Sequence, residues 1–385
     1  MENVAVIFGG VSTEHDISII TAISSIIRPL QLLKKYKIIP VYISKQGIWY
    51  SDPKLAKIET FQADDLEDNL SKLKPISLEF GKYLKIIKSG VIGGRKKYIN
   101  IDLVFPAMHG TNGEDGSLSG LLNFGSVPVV GCSLRASVLA MDKVIAKEIA
   151  VANKIDVADY IDSSKSEIEE NLEGVLSKIN KNLTFPLFVK PAHLGSSIGI
   201  SRVRDQKELI NGLEVASHYD DRVLVEEEIP DLIEVTLPII GNQHPIPALL
   251  ERPLSKVEDF FDFDTKYMRG GKKGKGQKGS QGYSEIPAKI DKKLYQDAIS
   301  LALGIYKIFG LSGISRVDML INQKLSKVYF NEINPLPGGL YSHNFNQAGI
   351  SNVELVEKLI FYAKERYNYQ KNITSTFSTN YLKQF

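Results

Sequence analysis

The sequence predicts an α/β protein whose N-terminal part is built on a largely parallel sheet, and two observations carry that reading. Short apolar runs of strand length, "VAVIF", "IIPVYI", "IDLVFP" and "VPVV", are separated by helical or polar stretches. The first of them meets a glycine pair and then "STEHDISIITAISSII", whose apolar spacing is that of an amphipathic helix. Thr13 and Asp16 are spaced as a variant capping box at the head of that helix.

From about residue 136 to 230 helix and strand alternate again. "MDKVIAKEIAVAN" reads as helix, and "FPLFVK" and "RVLVEEEI" read as strands. An extended region follows, then a long helix over "KKLYQDAISLALGIYKIF", a hairpin ending in "NEINPLPGG", and a last helix over "NVELVEKLIFYAKERY". The residues after that helix, rich in Asn, Thr and Ser, read as a loosely held tail.

Bulk properties bound the function. A chain of 385 residues with 43% hydrophobic content is long enough for two or three domains with their own cores. The 47 basic and 45 acidic residues leave a net charge of only +2, which argues against a general polyanion surface and against nucleic acid as a partner. The single cysteine, Cys132, excludes an internal disulfide and a thiolate metal site. No run of eighteen apolar residues and no basic leader are present, so no membrane association and a cytoplasmic location are expected. Two Asn-x-Thr triplets, at Asn182 and Asn372, are then chance matches.

The chemistry concentrates in a few segments. Side chains alternate along a strand, so Glu332 and Asn334 share a face, as do Arg316 and Asp318 on the preceding strand "ISRVDMLI". With "NQKLSK" as the connection, the four form one polar patch on a hairpin. Two carboxylates and a carboxamide suit Mg²⁺, and an arginine beside them suits a phosphoryl group. A lone Glu-x-Asn is more often a solvated face; the coupling to Arg-x-Asp and a Pro-Gly loop reverses that preference.

In "FVKPAHLGSSIGI", Lys190 closes a strand, and Gly195, Ser196, Ser197 and Gly199 form a turn that can cradle phosphate, although such a turn alone is a weak signal. Neither a Walker A motif nor a complete G-x-G-x-x-G is present. Glu14 and His15 lie where the first strand meets its helix, and His109 follows "IDLVFPA" in a comparable position. Taken singly, His109 reads as a satisfied buried histidine and Tyr267 as a core residue. The segment 270–282, "GGKKGKGQKGSQG", holds six glycines and four lysines. It is either a solvated loop or a cationic lid over an anionic ligand.

Together these segments resemble the D-alanine:D-alanine ligases of the ATP-grasp superfamily. The resemblance runs in order from about residue 3 to 365 through "FGGVSTEHDIS", "HGTNGEDGSLSGLL", "MDK", "VKPAHLGSSIG", "FDFDTKY", "RVDML" and "NEINPLPG". It implies an N-terminal Rossmann-like (pre-ATP-grasp) domain over 1–131 and a two-lobed ATP-grasp fold, with a central lobe over 132–230 and a C-terminal lobe over 231–367. Residues 368–385 remain as a tail.

By the same resemblance, Asp318, Glu332 and Asn334 hold two Mg²⁺ ions, with Mn²⁺ as a substitute, against the phosphates of ATP. Lys143, Lys190 and Lys266 correspond to nucleotide-phosphate lysines. Glu226, Ile229 and Glu234 match the segment that binds adenine and ribose. Glu14 matches the residue that pairs with the first D-alanine's ammonium and is linked through Ser196 to Tyr267, with His109 nearby in the substrate site. Arg316 and the Gly338 amide match the oxyanion donors. The implied reaction is D-alanyl-D-alanine synthesis through an acyl phosphate for peptidoglycan precursors, by an enzyme that is commonly a homodimer. A related ligase with another acceptor is the second reading, and a non-catalytic nucleotide-binding protein a remote third.

Two departures bear on the resemblance. Many members follow Pro-Gly with a Phe-Thr and serine-containing run that helps hold the second substrate's carboxylate, whereas here the run is "GGLYSHNF". Asp231-Leu232 stands where Arg-Glu is frequent.

Overall fold

The computed structural model describes residues 1–63, 65–89, 96–254, 284–374 and 376–385. Lys266, Tyr267 and the 270–282 segment lie outside the described residues. The chain begins as the alternation requires: β1 (Glu2–Gly9), a helix α1 (His15–Leu33), and β2 (Tyr36–Ile43). β1 lies parallel to β2, whose outer edge carries the short antiparallel β3 (Trp49–Tyr50). An antiparallel meander follows, β4 (Ile76–Glu79), β5 (Leu84–Ser89) and β6 (Lys96–Ile101). Then β7 (Leu103–Pro106) joins β1 in parallel, giving the order β3-β2-β1-β7. "VPVV" contributes only a single parallel bridge, Val129 to Val104.

The turn after β1 shows why glycine is needed there. Gly9 has φ +87°, and a Cβ on it would lie 2.2 Å from the Ile43 carbonyl oxygen. The expected capping box does not form: Glu14 is the N-cap, and its side chain caps no helix amide. Ser12 closes this turn instead, its Oγ accepting from the Glu14 amide at 3.1 Å and donating to the His109 carbonyl at 2.8 Å. The hydroxyl thereby ties two ligand-side turns together, which an aspartate two residues into the helix cannot do.

α1 is apolar and long enough to cross a membrane by length and composition, yet half of its most apolar window is buried in the protein. Ile19, Ala22, Ile23, Ile26, Ile27 and Leu30 recur at helical spacing and pack with Val4, Val6 and Phe8 of β1. The same core takes in Leu355, Val356, Leu359 and Ile360 of the helix over Asn352–Lys371. Burying each such aliphatic side chain contributes roughly 1.5–3 kcal/mol, so α1 is a core helix that fastens the two ends of the chain. Its middle, Thr21–Ile27, is wound as a π-helix, a winding frequent at functional sites.

Two antiparallel four-stranded sheets follow. The first contains β8 (Tyr160–Ser164), β9 (Leu187–Pro191), β10 (Ser201–Val203) and β11 (Arg222–Glu227), ordered β10-β9-β11-β8. α2 (Lys143–Ala152) leads into it, and α3 (Gln206–Tyr219) buries Leu209, Leu213 and Ala216 against Val189 and Val203. The second contains β12 (Leu232–Gly241), β13 (Ile246–Pro247), β16 (Gly313–Asn322) and β17 (Lys327–Asn334), ordered β13-β12-β16-β17. A small ribbon of β14 (Arg252–Pro253) and β15 (Ser284–Glu285) precedes its covering helix α4 (Lys292–Ile308). α5 (Asn352–Lys371) closes the fold, running four residues into the segment expected to be a tail.

Candidate active site

The β16–β17 hairpin carries the acidic patch, and a bulge aims it. Asp318 pairs with Glu332 and Arg316 with Asn334, but the register slips between Asp318 and Met319, which faces Phe330. Val328, Phe330 and Ile333 all sit in the core, so the alternation skips a residue at Asn331. Without that skip Glu332 would share the face of Phe330 and point into the apolar layer under α4. The bulge turns Glu332 and Asn334 to the side of Arg316 and Asp318.

Arg316 grips Asp318 with two parallel bonds, Nε to Oδ1 at 2.7 Å and Nη2 to Oδ2 at 2.6 Å. Although burial disfavours its charge, Asp318 and the other anions around it push the Arg316 pKa well up. Glu332 lies 3.3 Å from the Lys143 ammonium. Burial alone would raise its pKa, but Lys143, Lys190 and Arg316 hold the carboxyl below the ordinary range. The donor set is all oxygen, two carboxylates and a carboxamide, which fits a hard divalent cation such as Mg²⁺.

The first antiparallel sheet supplies the opposite charge. Lys190 on β9 and Glu226 on β11 form a buried ion pair, and Lys147 from α2 closes on the same carboxylate. Burial works against the Glu226 carboxylate, but the two ammonium groups bring its pKa to about 2. Burial lowers the Lys147 pKa, whereas Lys190, also penalised by burial, is kept charged by Glu226 and Glu332 and can serve a phosphate chain. Glu227 and Glu228 turn elsewhere: Glu227 accepts from the Thr184 amide at 2.6 Å and Glu228 pairs with Arg202 at 2.7 Å. Ile229 is buried at the exit of the strand, and Glu234 on β12 is near enough to help keep Lys190 charged.

The glycine-serine turn is tied to the head of α2. Ser196, Ser197 and Gly199 all have positive φ, at 53°, 60° and 72°, a conformation found in anion-binding turns. Lys143 donates to the Leu194 carbonyl at 2.5 Å, and Asp142 caps α2 by accepting from the Val144 and Ile145 amides. His193 locks the turn to that cap, with Nε2 3.2 Å from Asp142 and Nδ1 2.8 Å from Asp220. Those two carboxylates raise its pKa to about 10.

A stability prediction follows from the sign of that shift. Between pH 6.5, the ordinary histidine value, and about 10, the folded protein keeps a proton that the unfolded chain releases. The contribution is complete below pH 6.5 and lost as pH rises through about 10. The wild-type melting temperature should fall across this window more steeply than that of His193→Gln, as followed by thermal melts. Equal slopes would show that His193 holds no such proton.

Glu14, buried at the head of α1, accepts a hydrogen bond from Ser196. Burial and the nearby Glu114 raise its pKa. His109 lies behind it rather than open to the cleft, 3% exposed, with Nε2 2.9 Å from Thr21 and Nδ1 3.5 Å from Glu114. Burial opposes its charge, but Glu114 and Glu14 keep its pKa raised. It is the satisfied buried histidine that its residue type suggests, with neither ring nitrogen spare for a substrate. Gly338 is exposed and stands next to a left-handed stretch, Gly339, Leu340 and Tyr341, at φ 61°, 54° and 49°. Leu340 and Tyr341 each carry roughly 1–2 kcal/mol of strain there.

The atypical run after Gly338 folds back on residues 249–251. Asn344, fully buried, brackets Leu249 with bonds of 3.0 and 2.9 Å and donates to Glu251, which His343 also contacts at 3.0 Å. The Tyr341 ring lies 5.1 Å from the Arg316 guanidinium carbon, which covers one face of that cation.

Family models separate this chain into two matching parts. The D-ala D-ala ligase N-terminus model covers residues 3–132, and the D-ala D-ala ligase C-terminus model covers residues 149–361. The chain belongs to the D-alanine–D-alanine ligase family. A D-alanine–D-alanine ligase of Acetivibrio thermocellus is 36% identical, over 95% of this chain and 97% of that one. One of Thermosipho melanesiensis is also 36% identical, over 100% and 99%. Among solved structures, the D-alanine–D-alanine ligase of Coxiella burnetii matches with a TM-score of 0.77 at 27% identity, covering 96% of both chains. The VanG D-Ala:D-Ser ligase of Enterococcus faecalis also gives 0.77, at 32% identity, covering 94% of this chain and 99% of that one.

Within this D-alanine–D-alanine ligase family member, the structure joins Lys143 to the hairpin set of Arg316, Asp318, Glu332 and Asn334, Lys190 to Glu226, and Glu14 to Ser196. Lys266 and Tyr267 lie outside the described residues. Lys147 and His193 were not distinguishable by sequence reasoning. A lysine one helical turn after Lys143 looks like any surface lysine, and only its burial reveals it.

Proposed function

We infer that the protein is an ATP-dependent ligase that joins two D-alanines into D-alanyl-D-alanine for peptidoglycan precursors. The observation that carries this is the bulged hairpin bearing Arg316, Asp318, Glu332 and Asn334, with Lys143 in contact with Glu332 and the Lys190–Glu226 pair beside it. ATP and a divalent metal are the family's requirements. Asp318, Glu332 and Asn334 would hold the metal, as two Mg²⁺ ions or Mn²⁺ in their place. Bound there, it screens phosphate charge.

The remaining chemistry belongs to this chain's own groups. Lys143, Lys190 and Lys266 neutralise the phosphates, and Glu226, Ile229 and Glu234 border the nucleoside. Glu14, held by Ser196 and completed by Tyr267, pairs with the ammonium of the first D-alanine. His109 supports Glu14 from behind. The first D-alanine's carboxylate oxygen attacks the γ-phosphorus, ADP departs, and an acyl phosphate forms. The amine of the second D-alanine adds to that carbonyl, Arg316 and the Gly338 amide stabilise the oxyanion, and phosphate leaves with the transferred oxygen.

Three lobes over 1–131, 132–230 and 231–367 fit the separate sheets, a cytoplasmic location fits precursor synthesis, and homodimeric assembly is proposed from the family resemblance alone. The 270–282 segment would act as the lid. Acceptor choice has a direct test, a competition between equal D-alanine, D-serine and D-lactate at neutral pH with products separated by mass. D-alanyl-D-alanine should predominate, and its share over depsipeptide should rise with pH as the acceptor amine loses its proton. Predominant depsipeptide or D-alanyl-D-serine would reassign the acceptor.

A further inference from the structure

The strained turn beside the oxyanion donors is held from the far end of the chain. Gly339, Leu340 and Tyr341 are consecutively left-handed, and only the first is a glycine. Such a conformation persists only where its surroundings fix it. Leu340 is fully buried in the core that also contains Ala22 and Ile23 of α1, and the Tyr341 hydroxyl lies 3.3 Å from the Thr236 hydroxyl. The Leu340 amide also donates to the Pro337 carbonyl at 2.9 Å, and a further bond reaches the turn from α1. The Gly339 amide donates to the Thr21 hydroxyl at 2.9 Å, across 318 residues of sequence.

Thr21 is 1% exposed, stands at the first position of the π-wound segment of α1, and meets the imidazole of His109 at 2.9 Å on its other side. One hydroxyl therefore joins the turn of the C-terminal sheet to the buried His109–Glu114 pair of the N-terminal sheet. At the end of that turn, the ring of Tyr341 lies against Arg316. We propose that Thr21 is a positioning residue for the ligation step, whose hydroxyl holds the 339–341 turn so that the Gly338 amide and Arg316 keep a fixed separation. The proposal rests on the oxyanion roles assigned to those two groups above.

Valine at position 21 keeps the shape and the methyl group but removes the hydroxyl; serine keeps the hydroxyl. The full-length wild type, Thr21→Val and Thr21→Ser are compared for kcat, for KM of ATP, and for phosphate released per dipeptide. Hydrogen exchange over 338–341 is followed in the same proteins. Thr21→Val should lower kcat by on the order of 10- to 100-fold with the KM for ATP within threefold. Its phosphate-to-dipeptide ratio should exceed one, because acyl phosphate still forms but meets water. Exchange over the turn should quicken, and Thr21→Ser should recover both rate and protection. Should Thr21→Val fail to fold, Thr21→Ala replaces it in the same comparison with serine.

The proposal is overturned if Thr21→Val stays within threefold of wild type in kcat, or if serine is as damaging as valine, which would make packing the cause. Absence of dipeptide from the wild type would instead remove the ligase reading, while the exchange measurement would still report on the clamp.

Discussion

Glu332→Gln should lower dipeptide formation by about 100-fold or more while leaving the protein folded. The substitution keeps the side chain's size and its place after the bulge and removes one negative charge from the hairpin patch. Lys143 would lose its partner at 3.3 Å but retain the Leu194 carbonyl, so α2 and the glycine-serine turn remain tied. The partly open position of Glu332 keeps the cost in stability small. Its ionised state matters because three cations, Lys143, Lys190 and Arg316, hold the carboxyl below its ordinary pKa; an amide cannot balance them. The check is turnover as a function of Mg²⁺, together with a thermal melt. Turnover within threefold of wild type at saturating Mg²⁺ would remove Glu332 from the metal site.

Arg316→Met should cost on the order of 10²- to 10³-fold in kcat, the usual effect of losing an oxyanion donor. Two consequences separate this from a general disturbance. Asp318 loses both bonds of its bidentate partner, so melting temperature should fall without metal and recover in part when Mg²⁺ binds that carboxylate. Arg316→Lys should not restore the rate, because an ammonium cannot reproduce the planar fork that grips Asp318 and stacks under Tyr341. The decisive comparison is kcat for both variants against metal-dependent melts. A lysine variant with wild-type kcat would show that charge alone is needed.

Much of this arrangement is legible in the sequence because its determinants are local. Strand alternation puts Arg316 with Asp318, a short polar connection makes the hairpin, and the glycines after β1 mark a turn that only glycine tolerates. What escaped local reading depends on distant partners. The bulge leaves one faint trace, the clash of parity between Phe330 and Ile333, which periodicity alone does not assign to Asn331. Lys147 acquires meaning only because Glu226 arrives from another element, and His193 only because Asp142 and Asp220 flank it. The capping box that Thr13 and Asp16 suggest does not form, and the turn is closed by Ser12, which serves both the Glu14 amide and the His109 carbonyl. The run after Gly338 departs from the family's usual residues, and its meaning lies in contacts with Glu251 and Leu249 that no spacing rule encodes.

The most direct test of the account follows the oxygen. D-alanine carrying ¹⁸O in its carboxylate is turned over with ATP, and ADP, phosphate and dipeptide are quantified by mass. If the carboxylate is activated as an acyl phosphate over the Asp318–Glu332–Asn334 patch, ADP, phosphate and D-alanyl-D-alanine form in equal amounts, and each phosphate carries one ¹⁸O from D-alanine. Dipeptide formed with unlabelled phosphate, or ATP consumed with no D-alanine-dependent product, would contradict it.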